Sequence, residues 1–402
     1  MAYDLRILDL FKKDIRKKGV VGEETTAATV KLIIVTRLLG GPGSKSKPTS
    51  AIVKGDSSSG KSYTVESTVR FFPPEAVLEM TAMSERALVY SKEDFKHRTI
   101  VLYEAVALRE GVQDNLTAYL LRSLLSEGRL EYPVTVRAKD GNWTTKTIVK
   151  EGPTNLILTT TKVSIHAENE TRALSLTTDD TPDQTQRVFR ELANEGEGGV
   201  DLEPWHQLHR WLRTAEHRVT IPFGPALAEL VPPVAIRLRR DFGAVLALIR
   251  AHAILHQLNR PRDSEGRIIA TLDDYEVVRD LIAGVVSEGV GATVSPTVRD
   301  TVEAVSALAG VHQDGVTATA LAEKLGLDKS AARRRLLMAK RDGYITNREE
   351  RRGHPGRWVI GEPLPEEKEL LPPRHRLENR TAGQASGGTV ARGSEGDKGV
   401  GP

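Results

Sequence analysis

Short apolar runs alternate with longer stretches of helical period along this chain, and that alternation predicts an α/β architecture. Residues 1–47 read as two helices. The first is a charged amphipathic pattern over 1–18. The second runs from about Thr25 to Leu39, where Ala27, Val30, Ile33, Ile34, Leu38 and Leu39 recur at a period near 3.6, and Gly40-Gly41-Pro42-Gly43 ends it. A β-type run over 50–53 precedes a helical pattern over 63–71. Further strands are expected at 76–80, 99–103 and 154–161, with helical patterns at 84–96 and 115–127 between them. Two β-rich arms, 130–137 and 143–149, flank Asp140-Gly141 and predict a β-hairpin. Residues 180–225 are polar, with Trp205 and Trp211 flanking a helix as core residues. Long helices are expected over 232–257 and 272–288. Three shorter helices follow, at 296–308, 317–325 and 329–341, and then two short strands at 344–346 and 358–360. From Glu362 the composition turns Pro- and Glu-rich and then Gly/Ser-rich, which predicts a disordered tail.

The stretch that orders the rest is Gly55-Asp56-Ser57-Ser58-Ser59-Gly60-Lys61-Ser62, followed by Tyr63. Gly55, Gly60, Lys61 and Ser62 fit the phosphate-binding pattern G-x-x-x-x-G-K-[ST], and the motif sits between a strand and a helix, as it must. The glycines let the backbone curl so that successive N–H groups face phosphate oxygens. Lys61 can reach the β and γ phosphates, and the Ser62 hydroxyl can ligate Mg²⁺. The N-terminus of the next helix adds its positive end. ATP and Mg²⁺ are therefore the expected ligands.

Composition narrows the class. The chain has 402 residues, 39% of them hydrophobic and 28% charged, as expected of a globular protein of two or three domains. There is no cysteine, which excludes disulfides and Cys-based zinc sites. No apolar run approaches the ~20 residues that cross a bilayer, and no signal-peptide core precedes the first helix, so a cytoplasmic protein is the default. Net charge is only +3, so any argument for nucleic acid must rest on local clusters.

Other candidate residues follow from position. The run 99–103 closes in Tyr103-Glu104, where Glu104 either caps the strand or orients an attacking water. Strand 154–161 ends in polar residues, and Thr160 can sense a γ-phosphate there. Arg172 is either a surface residue or a finger reaching a neighbouring subunit's phosphate. His252 and His256, four apart on a helix, are a possible metal pair without a third ligand, and packing is the simpler reading.

A strand with a phosphate loop, an acid-ended strand, a helix, a hairpin, a polar-ended strand and an arginine, in that order, resemble an AAA+ ATPase of the branch with a hairpin before the first sensor. That branch includes minichromosome-maintenance (MCM) helicases and superfamily-three viral helicases. The resemblance covers about residues 20–290, and the Ser-Ser-Ser-Gly-Lys-Ser context with 166–172 is also similar to replication ATPases of bacterial mobile elements and phages. It implies a three-layer αβα core over 48–225 with its hairpin at 130–150, preceded by N-terminal helices at 1–47. It also implies a helical lid at 226–294 whose Arg239 or Arg240 is a second sensor. The usual second motif ends in Asp-Glu; here Tyr103 replaces the Asp. In the family the hairpin lines a central channel of a homo-oligomeric ring, a hexamer, and touches DNA. Arg137, Lys139 and Lys146 are the matching residues. Residues 295–362 resemble a winged helix-turn-helix domain. Its recognition helix would carry Lys329, Ser330, Arg333, Arg334 and Arg335, and its wing Arg348, Arg351, Arg352, His354 and Arg357, as phosphate and base-edge contacts. The implied function is an ATP-dependent DNA helicase or translocase acting in replication. An ATP-gated DNA-binding initiator or regulator with little turnover is the first rival. A protein-remodelling ATPase is the second.

Overall fold

A computed structural model describes residues 1–402 except 41–45, 81–86, 104–119, 121–122, 125–126, 128, 139–140, 162–171, 194–198, 234–236, 290–294, 313, 350, 352–353, 365–369 and 388–402. Helix α1 (Ile7–Arg16) and α2 (Glu24–Val35) lead into β1 (Ala51–Lys54) and α3 (Lys61–Val69). Strand β2 (Val77–Met80), the single turn α4 (Ala87–Tyr90) and β3 (Arg98–Leu102) come next. The hairpin β4 (Leu130–Arg137) and β5 (Trp143–Lys150) precedes β6 (Thr154–Thr160) and β7 (Leu174–Thr177). Then come α5 (Pro182–Leu192), α6 (Glu203–Thr214), β8 (Val219–Thr220), α7 (Gly224–Leu230), α8 (Leu238–Leu255), β9 (Ile268–Ile269) and α9 (Leu272–Gly289).

Five strands form one parallel sheet in the order β2-β3-β6-β1-β7. The central strands are short and apolar because both faces are covered. Alternate residues feed two cores. Ala51, Val53, Val101 and Ile157 face the larger cluster, with α1, α2, α3, α6, α8 and α9. Ile52, Ile100, Leu102, Leu156 and Leu158 face the smaller one, with Leu88, Phe95 and Leu124. The polar Asn155 ties the layers together: its amide donates to Ile33 O at 2.6 Å and Thr49 O at 3.0 Å, and it accepts from Thr99 Oγ1 at 2.6 Å.

The period of 3.6 over 25–39 predicts one apolar stripe, but α2 is buried on every face from Ala27 to Val35. It is the centre of the larger core rather than its cover. Lys31 is buried with it. Its ammonium lies 3.0 Å from His209 Nε2 and 4.4–4.8 Å from the ring centres of Trp205, Phe11 and Phe72. Burial holds the Lys31 and His209 pKa values well below their ordinary values. Trp205 is fully buried and packs edge-on against Phe11 and Phe71, so it is core, as the sequence suggests.

Helix α10 (Pro296–Ala309), α11 (Ala318–Leu325), α12 (Lys329–Arg341) and the antiparallel pair β10 (Ile345–Asn347) and β11 (Trp358–Ile360) close a third, separate core around Val305, Leu321, Leu336 and Trp358. Helix α12 is started by Asp328, whose carboxylate accepts from the Ser330 and Ala331 N–H groups.

The expected tail is corrected. Residues 370–387 return to the larger core: Leu370, Leu371 and Leu377 are buried, and α13 (Arg374–Gly387) is a helix. The Tyr275 hydroxyl donates to Pro372 O at 2.5 Å, and Arg374 pairs with Asp273 and Glu276. The polar composition misleads because three leucines carry the anchorage. Leu371→Ala should lower unfolding stability by about 2–5 kcal/mol, measured by denaturant titration. A loss under 0.5 kcal/mol would show that the segment is not docked in solution.

Candidate functional site

The phosphate loop leaves the C-terminal end of β1 and enters α3. Gly60 stands at φ 80° and Ser58 at φ 71°, the left-handed conformations that fold the loop back on itself. A Cβ at Gly55 would lie 2.1 Å from Thr178 Oγ1 and 2.4 Å from Ser59 Oγ, so a side chain there would have to displace both hydroxyls and break their bond. Thr178, just past β7, donates to Ser59 Oγ at 2.9 Å, and its N–H donates to Lys54 O at 3.0 Å. The Gly55 N–H donates to Thr160 O at 3.3 Å. Thr160 is also the register partner of Lys54. The end of β6 thus lies beside the loop, where the sequence expects a phosphate-sensing hydroxyl.

Lys61 is 4% exposed and donates to Asp56 O at 3.0 Å. Ser57 and Ser58 are exposed, Asp56, Ser59 and Ser62 are half-buried, and Ser62 follows Lys61 in the first turn of α3. Serine and lysine at that turn are the donor set a nucleotide with a divalent cation needs. Tyr63 is turned elsewhere: its hydroxyl donates to Lys18 O at 2.5 Å, tying the loop after α1 to α3.

Among the other expected residues, Glu104 and Lys139 lie outside the described residues, as does Arg352. Tyr103, where the AAA+ resemblance leads one to expect Asp, donates to Glu79 Oε2 on the neighbouring strand at 2.6 Å. Burial and the Glu79 carboxylate push its phenol pKa up, so it stays protonated. Arg172 precedes β7 at the end of the sheet opposite the loop, since Leu174 N–H meets Ser50 O. It cannot reach its own phosphates. Arg239 and Arg240 are exposed in the first turn of α8. Arg237, which sequence reasoning passed over, packs on Gly289 and pairs with Asp241 at 3.2 Å. Its neighbour Glu288 has a pKa pushed up to about 7 by burial and Asp342, against the pull of Lys54. His252 gives Nδ1 to Asp274 at 2.6 Å, its ring centre lies 4.4 Å from that of His256, and no group of three or more metal-ligating side chains is found among the described residues.

The basic residues divide into two groups. Arg137 and Lys146 on the hairpin are exposed, as are Lys329, Ser330, Arg333, Arg348, Arg351, His354 and Arg357. Arg335, expected to face a duplex, is only 3% exposed and bonds Asp180 Oδ1 at 2.5 Å. Arg334 bonds Asp180 Oδ2 at 3.2 Å. Sequence alone could not show this, because the partners are far apart in the chain. Only the acidic pair Asp179-Asp180 hinted at a cation.

A parallel sheet that hands a glycine-bounded loop to a helix, with a lysine buried at the joint, makes this a P-loop nucleotide-binding domain. The chain belongs to the family described as the MTBMA_p00010 P-loop domain, whose model matches residues 9–209, or 201 of 402 residues. No curated protein matches the chain. Among the described residues no helix is long and apolar enough to cross a membrane.

Proposed function

We propose that the protein is an ATP-dependent DNA translocase or helicase of AAA+ type, working as a homo-oligomeric ring in replication of a mobile element or phage. The observation that carries this reading is the placement of β6 between β1 and β3. It sets Thr160 beside the phosphate loop while the acid-ended strand stands one position further out. Lys61 and Ser62 hold the triphosphate and Mg²⁺, and Glu104 orients water. Arg172, remote from its own loop, suits a phosphate contact across a subunit boundary. Eight-residue arms carry the β4–β5 hairpin, and its exposed Trp143, Arg137 and Lys146 offer an aromatic face and cations to a single strand. Residues 295–362 read as a winged helix whose Arg333, Lys329 and wing arginines meet the duplex backbone.

Tyr103 favours a second reading. A protonated phenol cannot support a cation as a carboxylate does, and on this reading ATP serves as an assembly switch for a DNA-binding initiator with slow turnover. Steady-state ATPase rate with and without single- and double-stranded DNA separates the two, with Glu104→Gln as control. The translocase reading expects DNA to raise turnover at least about tenfold, and Glu104→Gln to remove that rise. ATP-dependent DNA binding with no turnover would replace it by the switch. Turnover indifferent to DNA would point to protein remodelling.

A further inference from the structure

We propose that Asp180 is an autoinhibitory latch. Its carboxylate takes Arg335 and Arg334 of helix α12 in the place of a duplex phosphate, so that docking of residues 295–362 on the core and full engagement of double-stranded DNA exclude each other. The proposal rests on duplex binding by that unit and adds what holds the binding in check.

Helix α12 turns one face into its own core, where Ala332, Leu336 and Ala339 are buried. The helical period sets Arg333 and Arg335 on opposite flanks of that face. The two flanks meet different surroundings. Arg333 and Lys329 are exposed, while Arg335 is 3% exposed. The Arg335 guanidinium donates to Asp180 Oδ1 at 2.5 Å, and Arg334, half-buried beside it, donates to Oδ2 at 3.2 Å. Two neighbouring arginines on one pair of anionic oxygens is what such a helix offers a phosphodiester. The carboxylate therefore fills a phosphate position, and a buried guanidinium cannot release it without another anion or water in its place.

The segment that carries Asp180 is braced. Thr178 donates to Ser59 Oγ at 2.9 Å, and the Asp179 N–H donates to Glu23 Oε1 at 2.6 Å. Thr181 caps α5 directly after it. The acid is thus held in position rather than offered on a free loop. Contacts at both ends of α12 close the same flank. A Cβ on Gly326, just before the helix, would stand 3.7 Å from Pro182 at the start of α5. Asp342, just after the helix, is close enough to Glu288 to raise its pKa. A duplex backbone cannot run along this flank while the core lies there. Lys329, Arg333 and the wing's Arg348, Arg351 and Arg357 stay open, which leaves the docked unit a partial grip.

The test is affinity of the full chain for a short fluorescent duplex across a salt series. Wild type, Asp180→Asn, the Asp180→Asn/Arg335→Ala pair and Arg333→Ala are compared. Phenylglyoxal labelling read by mass spectrometry reports whether Arg335 is free. Asp180→Asn should tighten duplex binding at least about threefold and steepen the salt slope by about one to two, as one or two more phosphates are engaged. Removing Arg335 from that variant should cancel at least about half of the gain. Arg335 should label faster in Asp180→Asn than in wild type, and duplex should protect it again. Should Asp180→Asn fail to fold, Asp180→Ser carries the same expectations. Unchanged affinity and slope in Asp180→Asn, with Arg333→Ala still weakening the duplex, overturns the latch and leaves DNA binding standing. Weaker binding by Asp180→Asn overturns it too, because docking would then present the helix to DNA. Equal protection of Arg335 in both forms overturns its retention by Asp180. A chain that binds duplex in neither form overturns DNA binding itself, and the latch with it.

Discussion

Lys61→Ala is expected to weaken ATP binding by roughly thirtyfold or more while leaving the thermal midpoint nearly unchanged. Truncating one partner of a buried, hydrogen-bonded charge pair typically removes 2–5 kcal/mol of binding, and each 1.4 kcal/mol is tenfold. The ammonium is buried at the start of α3 and already turned into the loop, on Asp56 O at 3.0 Å. It is thus pre-positioned for the phosphates and need not be ordered when they arrive. The fold should tolerate its loss because the loop's shape rests on Gly55, Gly60 and the Thr178–Ser59 bond rather than on the lysine. Equilibrium titration with a fluorescent ATP analogue checks the affinity, and calorimetry checks the midpoint. Undiminished binding would remove the nucleotide assignment.

Asp274→Ala should lower unfolding stability by about 3–5 kcal/mol, because it strands the buried Arg260 guanidinium and leaves His252 Nδ1 without its acceptor. Asp274 is fully buried. It takes Arg260 in a two-point contact at 2.7 and 2.9 Å, His252 at 2.6 Å and the Thr271 N–H at 2.7 Å. These partners depress its pKa to about 2. The stability it confers is present above the ordinary aspartate pKa of about 3.9 and is lost as pH falls toward 2. Wild type should therefore lose stability across that window, and the variant should lose less of it. Urea titrations at several pH values read both effects. A loss below about 1 kcal/mol at neutral pH would show that the network is not closed in solution.

The sequence made the phosphate loop, β1, β3, β6 and the hairpin legible because each combines a strong local signal with a short range. The glycines, Lys61 and Ser62 are contiguous, and the hairpin announces itself by Asp140-Gly141. Strand β7 was not legible. It has four residues, and pairing with β1, not propensity, makes it a strand. Helix α5 was hidden by its polar composition, although Thr181 caps it and Pro182 opens it. The same limit explains Arg335. Its pattern in α12 is that of any basic helix, and only the fold brings Asp180 to it. Local pattern also misjudged residues 370–387, where a few leucines and Arg374 outweigh the polar surroundings.

The return of that segment changes what residues 295–362 are to the rest of the chain. They do not trail from the end. They leave the larger core after Gly289 and come back at Leu370, whose N–H meets the Ser287 hydroxyl at 3.4 Å. The unit is an insertion with both ends pinned to one spot. Anchoring both ends at one place limits how far the unit can move from the larger core. It also makes the unit removable. Joining Gly289 to Leu370 with a few flexible residues would excise it without opening the core.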